Sequence, residues 1–256
     1  MIEVAKAAAK KSGDFLLSNF GNVKDVFSKG DRNLATNLDK EAESMIVDII
    51  AREFPSHGII AEENVRKDLK NDYLWIIDPL DGTHNFIRGL NIFGTSIGLW
   101  HKNDFILGTV YMPEDNELYW AEKGKGAFKN AEPIKVSNTS DIKAASGSFD
   151  SSIRYSPEPM LKALGDIAKE CFNIRMFGSS VRALTYLAEA KLDFSVEFHD
   201  RPWDFAGSVC IIKEAGGVFL DLKGNDPRPE TIGYVASSPK IYSDLRDILD
   251  KSLSKK

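Results

Sequence analysis

Two aspartates follow an apolar run in the first third of the sequence. The run 75–77 leads directly into Asp78, and Asp81 comes three positions later, where it opens a D-G pair. Because Pro79 lacks an N–H group, we expect the strand to end at Asp78 and a sharp turn to follow. The two carboxylates and the backbone carbonyl of Leu80 can then converge on one point. Hard oxygen ligands of this kind suit Mg²⁺ or Mn²⁺.

The residues after the second aspartate could receive an anion. If Gly82 and Thr83 begin a helix, their backbone N–H groups face the same point, and a helix N-terminus favours phosphate. A D-x-x-D-G segment by itself is also typical of a solvated turn that closes a strand. The wider sequence has to distinguish the two interpretations.

Two further acidic positions supply that context. The apolar run 59–61 leads into Glu62 and Glu63, which predicts a second strand with carboxylates at its end. Asp204 lies where a helix is predicted to start, 123 positions after Asp81 (204 − 81). Taken alone, Asp204 is typical of a helix N-cap. Its distance along the chain is what a site between two halves would require.

Apolar periodicity predicts the elements that position these residues. Helices are expected over about 1–20 and 40–54, and a mostly antiparallel sheet over 58–61, 73–77, 93–100, 105–111 and 118–121. From about residue 140, strands (144–149, 172–177, 194–198, 218–220 and 234–236) alternate with helices (157–170, 179–190, 204–215 and 239–253). The weakly patterned segment 123–140 predicts a boundary, with an N-terminal half at 1–135 and a C-terminal half at 136–256. The fold class expected is α+β.

Composition excludes several classes of protein. The 256 residues include 33 basic and 38 acidic side chains, a net charge of −5, so no chain-wide footprint for nucleic acid or anionic membrane is present. Cys171 and Cys210 form no C-x-x-C pair, which argues against a disulfide scaffold and a Cys-rich zinc site. No apolar run approaches the roughly 20 residues of a membrane span. We therefore expect a cytoplasmic protein with no membrane partner and no nucleic-acid partner.

The paired motifs resemble those of the inositol monophosphatase family, within the lithium-sensitive, Mg²⁺-dependent phosphatases. D-P-L-D-G-T-x-N-F occupies 78–86, W-D-x-A-G leads to E-A-G-G over 203–217, and G-x-x-x-E-E occupies 58–63. The resemblance extends over nearly the whole chain. It implies a layered α/β/α/β/α sandwich and the hydrolysis of phosphate monoesters by metal-activated water.

The resemblance also implies a set of metal ligands. Glu62, Asp78 and the carbonyl of Leu80 would hold one ion, and Asp78, Asp81 and Asp204 a second. A third, weaker ion would be associated with Glu62. Two or three Mg²⁺ ions are thus expected, with Mn²⁺ as an alternative. Such ions would neutralise the repulsion between a phosphate dianion and hydroxide and lower the pKa of a bound water.

Water activation and phosphate binding are implied by the same match. The backbone N–H groups of Gly82 and Thr83 would bind phosphate. Asp39, from the T-x-x-D segment 36–39, would act with Thr83 and Glu62 in activating water. Asp39 is also typical of a carboxylate that only caps a helix.

Substrate contacts are implied less closely. The expected contacts are Asp81, Gly178, Ser179, Glu197, Arg175 and Arg201. Glu197 could accept hydrogen bonds from polyol hydroxyls, although an exposed strand-end glutamate would have the same sequence. The two arginines could bind a second phosphate bidentately or form surface ion pairs. An arginine at position 201 is unusual for an inositol phosphatase. In this respect the chain is similar to short prokaryotic or archaeal members that also accept fructose 1,6-bisphosphate.

Three readings of function therefore stand beside one another. The leading one is a phosphatase acting on inositol monophosphate and on fructose 1,6-bisphosphate. The alternatives are a 3′-phosphoadenosine 5′-phosphate phosphatase and a non-catalytic regulatory or RNA-associated member of the fold. The family further implies a homodimer and a mobile lid over 29–33, for which an ordinary surface loop would have the same composition.

Overall fold

The computed structural model describes residues 1–23, 26–30 and 33–253. The helices are α1 (Ile2–Asn19), α2 (Asn37–Glu53), α3 (Thr83–Ile87), α4 (Pro157–Glu170), α5 (Ser180–Ala188), α6 (Pro202–Glu214) and α7 (Tyr242–Leu253). Short 3₁₀ helices occupy Ile142–Ala144 and Ile153–Tyr155. Positions 31 and 32, at the centre of the expected lid, lie outside the described residues, as do the side chains of Lys29 and Asn33.

The strands of the first half form one large sheet beside a short hairpin. The hairpin pairs β1 (Val26–Gly30) with β2 (Asn33–Thr36). The sheet comprises β3 (Gly58–Ala61), β4 (Arg66–Lys67), β5 (Tyr73–Asp81), β6 (Gly94–His101), β7 (Asp104–Met112), β8 (Glu117–Glu122), β9 (Ala127–Lys129) and β10 (Glu132–Ile134). Its order is β10-β9-β8-β7-β6-β5-β3-β4. Only the β3–β5 pair within it is parallel, as a mostly antiparallel prediction requires.

The strands of the second half form a smaller, mixed sheet. They are β11 (Ser146–Phe149), β12 (Asn173–Arg175), β13 (Phe194–Glu197), β14 (Val218–Leu220) and β15 (Tyr234–Ser237), in the order β12-β11-β13-β15-β14. β11 is parallel to both β12 and β13, so the ends of β11 and β13 meet at one edge. The expected division at 135/136 remains a prediction, although the large sheet ends at Ile134 and the small one begins at Ser146.

Helices cover both faces of each sheet. The small residues of α1 and the isoleucines of α2 pack on Trp75, Ile77 and Ile97 of the large sheet. α5 and α6 lie between the two sheets, and α4 and α7 pack on the outer face of the small one. The layers therefore follow the order α/β/α/β/α, which confirms the expected fold class. No helix among the described ranges is long and apolar enough for a membrane span.

A glycine lets the central helix approach the large sheet closely. A Cβ atom at Gly207 would lie 2.6 Å from Ser96 Oγ and 2.7 Å from the carbonyl oxygen of Thr109. With no side chain there, the N–H group of Gly207 donates to Ser96 Oγ at 3.2 Å. This contact holds α6, whose first turn carries Asp204, against β6, the strand that pairs with the segment containing Asp78 and Asp81.

The expected end of a strand at Asp78 is wrong. β5 continues to Asp81, with a register shift between Asp78, paired with Ser96, and Asp81, paired with Gly94. The irregular segment accommodates Pro79 without requiring an N–H donor in the ladder. The carbonyl oxygen of Pro79 accepts a hydrogen bond from Thr95 Oγ1 at 2.9 Å. A β-bulge thus replaces the predicted strand end.

Other element boundaries differ from the predictions by a few residues. α2 starts at Asn37 because Thr36 and Asp39 form a capping box. α6 starts at Pro202, since proline is well suited to the first turn of a helix. α5 ends at Ala188, shortly before Ala190, whose φ of 64° is left-handed. These shifts leave the order of the elements unchanged.

Candidate active site

A cleft of about 950 Å³ lies between the two halves of the chain. Its lining includes most of the residues singled out above, from both halves: Glu62, Asp78, Leu80, Asp81, Gly82, Thr83, Gly178, Ser179, Glu197, Arg201 and Asp204. The packing of α6 between the sheets therefore brings together motifs that are more than a hundred positions apart. Asp39 lies behind this lining and Arg175 outside the described cleft residues.

Three aspartates converge at one end of the cleft. Asp78, Asp81 and Asp204 each offer a carboxylate oxygen, and these oxygens lie within 4.8 Å of one another. The bulge in β5 supplies the first two, and the first turn of α6 supplies the third. Asp204 also caps its helix, because its Oδ2 accepts the N–H group of Arg201 at 2.6 Å. The capping and converging roles are compatible, since a carboxylate has several lone pairs.

Burial and mutual repulsion perturb these carboxyl groups. The pKa of Asp78 is raised well above its ordinary value by burial and then by the neighbouring Glu62, Asp81 and Asp204. Burial raises the pKa of Asp81 to about 7 against the opposing hydrogen bonds of Ser179, Ser180 and Val181. The pKa of Asp204 is raised chiefly by burial. Such a cluster needs protons or a cation, and an all-oxygen donor set fits Mg²⁺ or Mn²⁺.

The loop carrying Glu62 is fixed by a residue that sequence reasoning missed. Glu43, buried on α2, accepts the N–H groups of Glu63 at 2.7 Å, Asn64 at 2.9 Å and Val65 at 3.2 Å. These bonds hold the segment that follows β3, and Glu62 lies close enough to Asp78 to raise its pKa. The isoleucine periodicity of α2 concealed Glu43 because it lies on the same buried stripe.

Asp39 and Thr83 are hydrogen-bonded across the site. Asp39 Oδ2 accepts the N–H group and hydroxyl of Thr36 at 2.8 and 2.5 Å, and its Oδ1 lies 3.2 Å from Thr83 Oγ1. Thr83 Oγ1 is also 3.0 Å from the carbonyl oxygen of Leu80. Asp39 is therefore both a helix cap and a partner of the threonine in the motif.

Gly82 gives the turn its shape. Its φ of 83° is left-handed, and a Cβ atom there would lie 2.6 Å from the carbonyl oxygen of Ile92. Only glycine adopts this conformation without strain in so close a space. α3 begins at the next residue, Thr83, as the sequence predicts for an acidic turn that opens a helix.

A second group of carboxylates lines the cleft beside the first. Burial, Asp200, Asp150 and Asp81 raise the pKa of Glu197, and burial together with Asp150 and Asp81 raises that of Asp200. Sequence reasoning missed Asp150 and Asp200. Asp150 directly follows β11, and Glu197 ends β13. Because these strands are parallel, their carboxyl ends meet at one edge, and this pairing was the signal that could have revealed Asp150.

The arginines are distributed differently from the expectation. Arg201 lines the cleft, whereas Arg175 is exposed on β12 and donates to Asn173 Oδ1 at 2.5 Å. Arg154, which the sequence did not single out, lines the cleft from the 3₁₀ helix Ile153–Tyr155 and donates to Tyr155 Oη at 2.8 Å. A lone arginine in a polar segment carries no pattern that would have distinguished it.

Comparison with known proteins decides the family. The profile described as the inositol monophosphatase family matches residues 1–252. The chain belongs to the inositol monophosphatase family. Membership in this family agrees with the site, because the motifs that resemble the family carry the carboxylates that converge in the cleft.

Relatives in this family carry more than one name. A fructose-1,6-bisphosphatase/inositol-1-monophosphatase from Aquifex aeolicus is 38% identical over 222 residues, covering 85% of this chain and 84% of that protein. One of the same name from Thermotoga maritima is 35% identical over 243 residues, covering 94% and 93%. A Nus factor SuhB from Escherichia coli K12 is 33% identical over 265 residues, covering 100% and 99%.

Solved structures of the family share the fold. An inositol monophosphatase from Thermotoga maritima superposes with a TM-score of 0.89 at 32% identity, covering 98% of this chain and 97% of that one. The extragenic suppressor protein SuhB from Bartonella henselae superposes with a TM-score of 0.92 at 29% identity, covering 97% and 98%. Family and relatives together support phosphatase activity and an acidic site for a metal ion.

Proposed function

We propose that this protein hydrolyses phosphate monoesters of small polyols and requires Mg²⁺, with inositol monophosphate and fructose 1,6-bisphosphate as substrates. The observation that carries the proposal is the convergence of Asp78, Asp81 and Asp204 at the end of a polar cleft. Glu62 and the carbonyl of Leu80 complete the set that would hold two or three Mg²⁺ ions, or Mn²⁺ in their place. When bound, these ions supply positive charge for the phosphate and acidify a water molecule.

Thr83 and Asp39 are proposed to take the proton of the attacking water. The single hydrogen of Thr83 Oγ1 points to Asp39 Oδ1 or to the carbonyl of Leu80, so the lone pairs of this hydroxyl are free to accept from water. Asp39 Oδ2 accepts from Thr36, and Oδ1, which faces Thr83 Oγ1, would receive the proton. Glu62, facing the same point, would orient the water.

The phosphate itself is proposed to lie over the turn after Asp81. The backbone N–H groups of Gly82 and Thr83 line the cleft there, and the left-handed glycine allows the backbone to approach a ligand closely. These amides would bind phosphate oxygens while the carboxylates on the other side stay clear of them.

The polyol is proposed to face the second group of carboxylates. Glu197, Asp150 and Asp200 supply hydrogen-bond acceptors suited to adjacent hydroxyl groups. Asp81 and the backbone at Gly178 would contact the sugar nearer the phosphate. Tyr155, Phe177 and Trp203 also line the cleft and could stack on an adenine base, so the choice against 3′-phosphoadenosine 5′-phosphate rests on the acidic residues beside them.

A second phosphate is proposed to contact arginine at the rim. Arg201 and Arg154 line the cleft. Guanidinium groups bind phosphate oxygens bidentately. Arg175 would need to change its present contact with Asn173 to take part. We further propose a homodimer, which light scattering coupled to size-exclusion chromatography would test.

The non-catalytic alternative is favoured by one observation, the relatives named Nus factor SuhB. The converging carboxylates weigh against it, because a binding module would not need them.

The test is phosphate release with Mg²⁺ and with EDTA. Inositol 1-phosphate, fructose 1,6-bisphosphate and 3′-phosphoadenosine 5′-phosphate would be compared in parallel. We expect Mg²⁺-dependent release from the first two. Turnover of the nucleotide alone would overturn the polyol assignment, and no release from any substrate by metal-loaded protein would favour the regulatory alternative.

A further inference from the structure

The carboxylate of Asp81 is held from outside its own loop. The hydroxyl of Ser179 donates to Asp81 Oδ2. The N–H groups of Ser180 and Val181 donate to Oδ1 at 3.2 Å and to Oδ2 at 3.4 Å. Both oxygens are therefore engaged by the first turn of α5, and their orientation is set by a segment 98 positions away in the chain.

A side chain from the loop of Asp81 holds that segment in return. Asn85, buried four positions after Asp81, donates through Nδ2 to the carbonyl oxygens of Phe177 at 2.8 Å and Gly178 at 3.2 Å. The same amide also donates to the carbonyl of Ile92 at 2.9 Å, so its two hydrogens serve three acceptors and one of them is shared. Asn85 thus ties the chain immediately before Ser179 to the loop that follows Asp81.

The two sets of bonds form a closed arrangement, which we call the reciprocal clamp. It consists of Asp81, Asn85 and the segment 177–181. One arm runs from the second half to Asp81, and the other runs from the first half to the carbonyls at 177 and 178. Both arms join the same two short segments, 81–85 and 177–181. A shift of one arm would therefore strain the hydrogen bonds of the other.

Asp81 needs such support because its own backbone provides little. It ends β5 after an irregular segment and precedes a left-handed glycine. A ligand on a bulge has rotational freedom that must be lost when a cation binds. Hydrogen-bonded partners of metal ligands remove that freedom in advance, and their loss usually costs about 10- to 100-fold in metal affinity.

We propose that Ser179 and Asn85 are positioning residues that orient Asp81 for the metal ion. The proposal rests on the proposed function only in assigning Asp81 to a metal. It differs from the sequence-based expectation that Ser179 contacts substrate. A substrate contact would change KM and leave metal affinity alone, whereas the reciprocal clamp acts on metal affinity first.

The experiment measures binding of Mg²⁺ to metal-free protein by calorimetry, with Mn²⁺ followed by electron paramagnetic resonance. Ser179→Ala is expected to weaken binding about 10- to 100-fold. Ser179→Thr, which keeps a hydroxyl at the same position, is expected to restore it. Asn85→Ala, which removes the other arm, is expected to weaken binding to a similar degree.

Thr185→Val is the matched control on the same helix. Its buried hydroxyl donates only to the helix carbonyl of Arg182 among the described contacts, at 3.1 Å, and lies outside the cleft lining. This variant is expected to bind Mg²⁺ like the unaltered protein, whatever it does to the thermal midpoint. That result separates loss of the clamp from general loss of stability.

Two results would overturn the proposal. One is unchanged Mg²⁺ and Mn²⁺ affinity in folded Ser179→Ala, particularly with a raised KM, which would return Ser179 to the substrate. The other is equally weakened binding in Ser179→Thr, since a hydroxyl would then be irrelevant. Should Ser179→Ala fail to fold, folded Ser179→Thr and Asn85→Ala decide the matter. Failure of the phosphatase assignment would appear instead as absent turnover with intact metal binding.

Discussion

Two neighbouring groups of carboxylates in the cleft carry the same kind of side chain in different surroundings. We call Asp78, Asp81 and Asp204 the metal-end group, and Asp150, Glu197 and Asp200 the polyol-end group. Burial raises the pKa of carboxyl groups in both, and neighbouring carboxylates add to the effect. Residue type and burial therefore do not tell the two groups apart.

The positions of their oxygens do, because among the described residues only the metal-end oxygens lie within 4.8 Å of one another. Asp150 accepts three backbone N–H groups, from Ser152 at 2.5 Å, Phe198 at 3.0 Å and His199 at 3.3 Å, and it bonds to Glu197. Asp78 accepts the N–H group of Leu80 at 2.9 Å and is hydrogen-bonded to Glu62, and Asp81 accepts its three donors from α5. The metal-end oxygens converge on one another, whereas the oxygens of Asp150 are engaged by N–H groups from the segments that follow β11 and β13. One group suits a cation, and the other suits hydroxyl groups.

Removing a charge from the metal end should have the largest effect. Asp78→Asn is expected to lower Mg²⁺-dependent phosphate release by about a thousandfold, because metal stabilisation of the transition state is worth several kcal/mol. The fold should survive, since the change relieves buried repulsion. Phosphate release, calorimetry with Mg²⁺ and thermal unfolding would check this. Retained turnover would contradict the ligand assignment.

The second-largest effect is expected from lowering the pH, which should weaken Mg²⁺ binding at the metal-end group. Because the pKa of Asp81 is about 7 in the metal-free protein, Mg²⁺ must displace a proton below that pH. Affinity is expected to fall at least roughly tenfold per pH unit below 7, because Asp81 gives up one proton and the raised pKa values of Asp78 and Asp204 add to the competition. Calorimetry between pH 5.5 and 8.5 measures this, and a flat profile would be inconsistent with a buried, proton-competing carboxylate.

The same shift predicts how stability depends on pH. A carboxyl group with a raised folded-state pKa binds more protons folded than unfolded, so its contribution is present at low pH and lost as pH rises through about 7. Metal-free protein should therefore unfold at a higher temperature near pH 5 than near pH 8. Saturating Mg²⁺ should remove the metal-end part of this difference and leave the polyol-end part.

A change at the polyol end should affect substrate rather than metal. Glu197→Gln keeps the shape and removes the acceptor charge, so KM for inositol 1-phosphate is expected to rise about tenfold, as for one hydrogen bond to a charged group. Mg²⁺ affinity should stay unchanged, with Asp78→Asn as the opposite control. Equal loss of metal affinity would show that the two groups act as one.

The smallest effect is expected at the rim. Arg201→Ala should raise KM for fructose 1,6-bisphosphate by a few-fold, since exposed ion pairs contribute at most about 1 kcal/mol. KM for inositol 1-phosphate should not change. Arg175→Ala is the matched substitution outside the cleft lining, and the difference between the two variants measures the rim contact. If both substrates respond equally to Arg201→Ala, a second-phosphate contact is excluded.

The motifs of the chain were readable because their geometry is local. Asp78 and Asp81 lie three positions apart, so the sequence could predict that both carboxylates serve one site, although the bulge in β5 and the contacts from α5 orient them. The element order followed from periodicity, the layered fold was implied by the family resemblance, and the helix predicted to start at Asp204 begins two residues earlier, at Pro202. The continuation of β5 past Pro79 did not, because a bulge depends on the neighbouring strand as much as on the proline.

Long-range packing decided the remainder. Ser179 faces Asp81, and Asp150 meets Glu197. Arg201 enters the cleft, while Arg175 stays outside its lining. None of these outcomes has a signature in residue spacing. The sequence by itself determined which oxygen ligands exist and the local turns that present them. Only the tertiary structure decided which distant segments face them, because the orientation of α5 and α6 is set by the two sheets that enclose them.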